Sequence, residues 1–225
     1  MSFKYFLEQQ QLNPNRKFHI FFVGKYRPFH NAHKYTYDYL QDLINKYNLN
    51  GTVYVCTRLK DDEFLTAEQQ QKIIELSGIP KEHIINYGGG YNIKTLLSEA
   101  NGTEEDVVIT AFSEKDLDDK SKVGLITPPK DNIMSWKKIN NIDHIVYLRP
   151  MGYIHKEYAD RGVEDKKRQK GTGYVIVVPT QKMGEINISS SLIRQKILEQ
   201  DWDYISKIVV NQEVLKYLKK IKEKK

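Results

Sequence analysis

The stretch Phe18-His-Ile-Phe-Phe-Val-Gly-Lys-Tyr-Arg-Pro-Phe-His-Asn-Ala-His33 decides how the chain is read. Residues 18–23 are bulky, β-branched or aromatic and too few for a free-standing helix, so they predict a buried strand. Gly24 permits a tight turn and lets a ligand approach the backbone. From Asn31 onward Ala32, Tyr35, Tyr39, Leu40 and Leu43 recur at helical spacing, with Asn31 as the expected N-cap. A strand, a glycine turn and a helix start make a phosphate site, because free N–H groups and the helix dipole point at an anion. His30 and His33 then lie one above the other on the first turn.

Outward from this unit the same pattern repeats. Residues 52–57, 83–87 and 106–111 read as strands, and 66–76 and roughly 93–100 as helices. Thr66 with Gln69 forms a capping box, and Gly78 with Pro80 closes that helix. Such alternation predicts an α/β fold: a Rossmann-like parallel sheet of five to six strands with helices on both faces. Ligands in such sheets bind beyond the strands' carboxyl ends, at the switch point beside the first strand. The loops 24–30, 57–65 and 112–122 fall on that edge. Further strands are expected at 143–148 and at 174–178, the latter at an edge. Residues 1–16 read as an N-terminal helix and turn, and 17–225 as one domain with an irregular insertion near 121–173. Within that insertion, the charged run 151–173 is compatible with a lid or with a solvated loop.

Hydrophobic residues make up 40% of the 225 and aromatics 11%, enough for a packed core rather than a disordered chain. No apolar run approaches the roughly 20 residues of a membrane span, and the polar N-terminus does not resemble a signal peptide. A lone cysteine, Cys56, excludes an internal disulfide and reads as a core thiol in a reducing cytoplasm. The net charge of +6 permits nucleic-acid binding, but no nucleic-acid motif accompanies it, so nucleic acid is not expected as the main ligand.

Near the far end, Ile188-Ser-Ser-Ser-Leu-Ile-Arg194 opens another helix, with Ile193, Ile197 and Leu198 expected to face the core. A serine N-cap alone is ordinary. Ser189, Ser190 and Ser191 followed by Arg194 are more specific, since hydroxyls, amide N–H groups and a guanidinium one turn in can hold a phosphate chain.

The stretch Gly24-Lys-Tyr-Arg-Pro-Phe-His-Asn-Ala-His33 resembles the G-x-F-x-P-x-H-x-G-H signature of the HIGH-superfamily (cytidylyltransferase-like) nucleotidyltransferases, and Ser189 to Arg194 is similar to their I-S-S-T-x-x-R motif. The Pro28-Phe-His30 form is closest to nicotinamide mononucleotide adenylyltransferases, and the composition also suits a phage-encoded member. The resemblance implies a HUP-type fold and transfer of AMP from ATP, with Mg²⁺, to a phosphate monoester such as nicotinamide mononucleotide, a step of NAD biosynthesis that releases pyrophosphate. It implies catalytic roles for His30, His33, Lys25 and Arg194. Nucleotide contacts would come from Gly24, Tyr26, Arg27, Ser113, Lys115, Asp116, Ser189, Ser190 and Ser191. No protein metal site is expected, because Cys56 has no companion cysteine to complete a common ligand set with the histidines. Arg27 departs from the Gln frequent in relatives and adds a bidentate phosphate binder; Ala32 replaces a frequent Gly. A cytidylyltransferase using CTP, and a non-catalytic nucleotide-binding or structural protein retaining the fold, are the alternatives. Small nucleotides are the expected partners, in the cytoplasm and away from any membrane, with a homo-oligomer left open.

Overall fold

Strand β1, Phe18–Gly24, is covered on both faces: Phe18, His19, Ile20, Phe21 and Phe22 are all buried. That is the environment of an inner strand in a parallel sheet, where a continuous apolar run replaces alternation. The computed structural model describes residues 17–88, 93–103, 106–113, 145–150, 172–179 and 188–223. The expected N-terminal helix, most of the 121–173 insertion, and Lys115 and Asp116 lie outside them.

After β1 come α1 (Asn31–Lys46), β2 (Gly51–Thr57), α2 (Ala67–Leu76), a 3₁₀ turn (Lys81–His83) and β3 (Ile84–Asn86). Then follow α3 (Ile93–Glu99), β4 (Val107–Ser113), β5 (Ile145–Pro150), β6 (Thr172–Val178), α4 (Ser190–Leu198), α5 (Trp202–Ile208) and α6 (Gln212–Glu223). The strands are ordered β3-β2-β1-β4-β6-β5. Pairs β1/β4, β2/β3 and β4/β6 are parallel, with Phe18 opposite Val107 and Val108 opposite Gly173. The order runs outward from β1 to β3 and then resumes at β4 on the other side of β1. The reversal beside β1 is a topological switch point, and the loop that leaves it is residues 24–30.

Two expectations fail at the far side. The last strand, expected at an edge, lies between β4 and β5, and β5 pairs with it antiparallel, Ile145 opposite Val177 and Pro150 opposite Thr172. An antiparallel pair needs no crossover helix, and none separates these two strands in the sequence pattern. Pro150, which lacks an N–H, sits where an edge strand tolerates it.

Contacts divide the chain into two units, residues 1–23, 40–54 and 92–180 in one and 24–39, 55–91 and 181–225 in the other. In the first, His19 is buried, stacked on Phe21 and Tyr54 at 6.3 and 6.0 Å, with Nε2 3.1 Å from Asp106 Oδ2. Burial pushes the Asp106 carboxyl up, but the Thr103 amide and His19 outweigh it and hold it below the usual range. The Asn101-Gly102 turn closes against this pair: a Cβ on Gly102 would meet Leu97 Cδ1 and come 2.9 Å from His19 Nε2.

The second unit packs α2, α4, α5 and α6 through Ile73, Ile74, Ile193, Ile197, Ile205, Val214 and Leu218. Leu198, expected in this core, is instead 62% exposed; it is the last residue of α4, whose inward face is already supplied by Ile193 and Ile197. Thr66 caps α2 as expected, its hydroxyl accepting from Gln69 N at 3.1 Å while the Gln69 side chain accepts from Thr66 N at 2.9 Å. At the other end Gly78 takes φ +81°, and the Asn211 side chain donates to the Leu76 carbonyl at 2.8 Å. Thr66→Ala removes one capping bond and is expected to cost about 1 kcal/mol. Thermal denaturation should show it as a drop of roughly 2–4 °C. Among the described residues no helix is long and apolar enough to cross a membrane.

Candidate functional site

The loop that follows β1 is shaped by its own aromatic residues. A Cβ on Gly24 would stand 2.6 Å from the Tyr26 ring carbons, so the glycine makes room for that ring rather than for a positive φ. Tyr26 itself adopts φ +47°, an unusual conformation for a bulky residue, and is 3% exposed. Its ring packs edge-on against Phe29 at 5.5 Å and His33 at 4.8 Å. The Arg27–Pro28 peptide is cis. From Tyr26 to His30 every residue is buried, and Lys25 alone in the loop is exposed; its carbonyl accepts from Thr57 Oγ1 at 3.2 Å.

His30 occupies the cap position expected for Asn31. Its carbonyl accepts the first helical bonds of α1, from His33 N at 2.9 Å and Lys34 N at 3.0 Å. Asn31 is already helical, and its side chain donates to the Lys207 carbonyl at 3.4 Å. The His30 and His33 rings stack at 3.7 Å and 26°, as the three-residue spacing implies. His30 is 1% exposed, whereas His33 is half-buried and is the member of the pair with surface to offer.

The second helix start meets this loop directly. Ser189 caps α4, its Oγ accepting from Leu192 N at 3.2 Å. Ser190 Oγ donates to the Pro28 carbonyl at 3.2 Å. Arg194 donates through Nη1 to the Arg27 carbonyl at 3.2 Å and through Nη2 to Ser191 Oγ at 3.3 Å. The beginnings of α1 and α4, far apart in sequence, are thereby joined in one unit. Each carries the positive end of a helix dipole, and with Lys25 and Arg194 the combination suits a polyanion.

Arg27, expected to face a ligand, gives both Nη groups to the protein. Nη1 pairs with Asp62 Oδ2 at 3.2 Å and Nη2 donates to the Arg58 carbonyl at 2.9 Å. Asp62 accepts in turn from the Phe64 and Leu65 amides at 2.9 and 2.8 Å through Oδ1. Burial pushes its carboxyl up, but those two amides and the Arg27 and Arg194 charges prevail and hold it below the usual carboxylate range. Asp62 escaped sequence reasoning, which saw only a charged loop at 57–65; nothing local distinguishes it from Asp61 or Glu63.

Of the expected site residues, Gly24, Lys25, Tyr26, Arg27, His30, His33, Ser189, Ser190, Ser191 and Arg194 all belong to the second unit. Ser113 ends β4 in the first, opposite Val178. Among the described residues, no group of three or more His, Cys, Asp or Glu could hold a metal ion. Cys56 is a buried free cysteine, and burial raises its thiol well above the usual range. No family model and no curated protein matches the sequence.

Proposed function

We propose that the chain is a HUP-type nucleotidyltransferase that moves AMP from ATP to a phosphate monoester, with nicotinamide mononucleotide as the favoured acceptor. One observation carries the reading: two helix N-termini are tied together by the Ser190–Pro28 and Arg194–Arg27 hydrogen bonds beside the stacked histidines of α1. The nucleophile in such a transfer is a phosphate oxygen, already anionic, so no strong base and no covalent enzyme intermediate are required. Attack forms a bond from that oxygen to the α-phosphorus; the bond to the bridging oxygen breaks, and pyrophosphate leaves with the electron pair. The protein's task is then positioning and neutralisation of the charge that builds on the transferred group and the leaving group.

In this reading His33 donates to the α-phosphoryl oxygens, and His30, too buried to do so freely, holds the His33 ring by stacking. Arg194 and the amides of Ser190 and Ser191 hold the β- and γ-phosphates. Lys25, exposed on its flexible stem, closes over the same oxygens. Mg²⁺ would arrive bound to the triphosphate, with few or no protein ligands, and would supply charge that offsets that of the pyrophosphate. The second reading, a nucleotide-binding or structural protein that retains the fold, is favoured by a different fact: Arg27 already has protein partners on both Nη groups.

Incubation with Mg²⁺, each nucleoside triphosphate and a panel of phosphate monoesters, followed by pyrophosphate release, separates these. Release with ATP and nicotinamide mononucleotide is expected. Release with CTP only would replace the adenylyl assignment by a cytidylyl one. Nucleotide binding without turnover on any pair would favour the second reading in its nucleotide-binding form, and no binding at all would leave only its structural form.

A further inference from the structure

Asp62 makes more contacts than a surface-loop carboxylate needs. Its Oδ1 is committed to two backbone amides, Phe64 and Leu65, so the carboxylate cannot swing away. Its Oδ2 meets Arg27 Nη1, and Arg27 Nη2 is held by the Arg58 carbonyl of the same loop. Arg27 is 8% exposed, and its Nε is buried with no hydrogen-bond partner among the described residues. A guanidinium gripped from two sides in this way is a strut rather than a ligand contact. What it braces is its own backbone, because the Arg27 carbonyl is the seat of Arg194 Nη1.

We propose that Asp62 is the positioning residue of the polyphosphate site: by holding the Arg27 guanidinium it fixes the carbonyl that aims Arg194. The inference rests on the nucleotidyltransferase reading and deepens it. Burial pushes the Asp62 carboxyl up, but the Leu65 and Phe64 amides and the Arg27 charge hold it below the usual range, in keeping with its pairing to Arg27. The chain of contacts runs Asp62, Arg27 guanidinium, Arg27 carbonyl, Arg194, Ser191; the link inside Arg27 is covalent, and the other three are hydrogen bonds of 3.3 Å or less. A shift of the Arg27 peptide therefore moves the guanidinium that would meet the phosphates, and small misplacements of this kind weaken polyanion binding markedly.

Positioning and bulk electrostatics predict opposite signs. Asp62→Asn keeps an oxygen for the Phe64 and Leu65 amides but removes a negative charge, so electrostatics alone would tighten polyphosphate binding. The test measures affinity for tripolyphosphate and for ATP with Mg²⁺ by titration calorimetry on the full chain, for wild type, Asp62→Asn, Arg27→Gln and the double variant. Each single change is expected to weaken binding about tenfold, and the double to match a single within about threefold, as for two residues acting through one contact. Unchanged or tighter binding by Asp62→Asn overturns the proposal, as do losses that multiply in the double variant. If Asp62→Asn does not fold, Arg27→Lys carries the test: it keeps the charge but loses the fork, and wild-type affinity there would overturn the proposal too. A wild-type chain that binds neither probe removes the underlying reading and the inference with it, whereas wild-type binding retained by the variants removes the inference alone.

Discussion

Replacing His33 by Ala should abolish pyrophosphate release with ATP and nicotinamide mononucleotide, lowering kcat by on the order of 10²–10³-fold, the usual effect of removing a preorganised donor to a developing charge. The residue sits on the first turn of α1, half-buried, stacked on His30 at 3.7 Å and edge-on to Tyr26 at 4.8 Å. Alanine has the highest helix propensity, so α1 persists. Deletion of the ring leaves Tyr26 and Phe29, both buried, packed on each other. The stability loss should therefore be small beside the kinetic one, with circular dichroism and the unfolding midpoint checking that it is. Turnover by His33→Ala at the wild-type rate would remove the histidine from the chemistry.

Arg194→Ala is expected to weaken ATP binding about tenfold to a hundredfold while leaving acceptor affinity within about threefold, because charge-assisted contacts to phosphate are lost at one end of the nucleotide only. In the free protein the same guanidinium bridges the Arg27 carbonyl and Ser191. Two modest hydrogen bonds disappear with it, each worth about 1 kcal/mol net. Arg194→Lys separates the two contributions, since it keeps a charge near the phosphates but not the fork that spans the Arg27 carbonyl and Ser191. Calorimetric titration of each substrate against each variant reads the split. An equal loss for ATP and acceptor would refute the assignment of Arg194 to the triphosphate.

Features with local causes were legible in the sequence. The buried strand at 18–24, the capping box at Thr66 and Gln69, the left-handed turn at Gly78 and the helix start at the serines each follow from a few neighbouring residues. Features set by distant partners were not. Whether the strand at 172–178 lies inside the sheet depends on the pairing of β5, and the fate of Leu198 depends on how many inward positions α4 had already filled. The cap of α1 was misplaced by one residue because Asn is the better capping side chain, yet here its amide is drawn to Lys207 in α5. Arg27 shows the same limit most clearly. Its chemistry pointed to phosphate, but its partner stands 35 residues later in a loop with several interchangeable carboxylates.

The bonds that join the two helix starts span 162 and 167 residues. Contacts of that separation close late, since the chain between them must be ordered before they reward the loop entropy. During synthesis, residues 24–33 are made before Arg194 and wait for it to leave the ribosome before the two helix starts can be joined. In the proposed function a nucleotide would therefore stabilise the chain only once α4 is made, and the part built before α4 has to rely on its own packing until then.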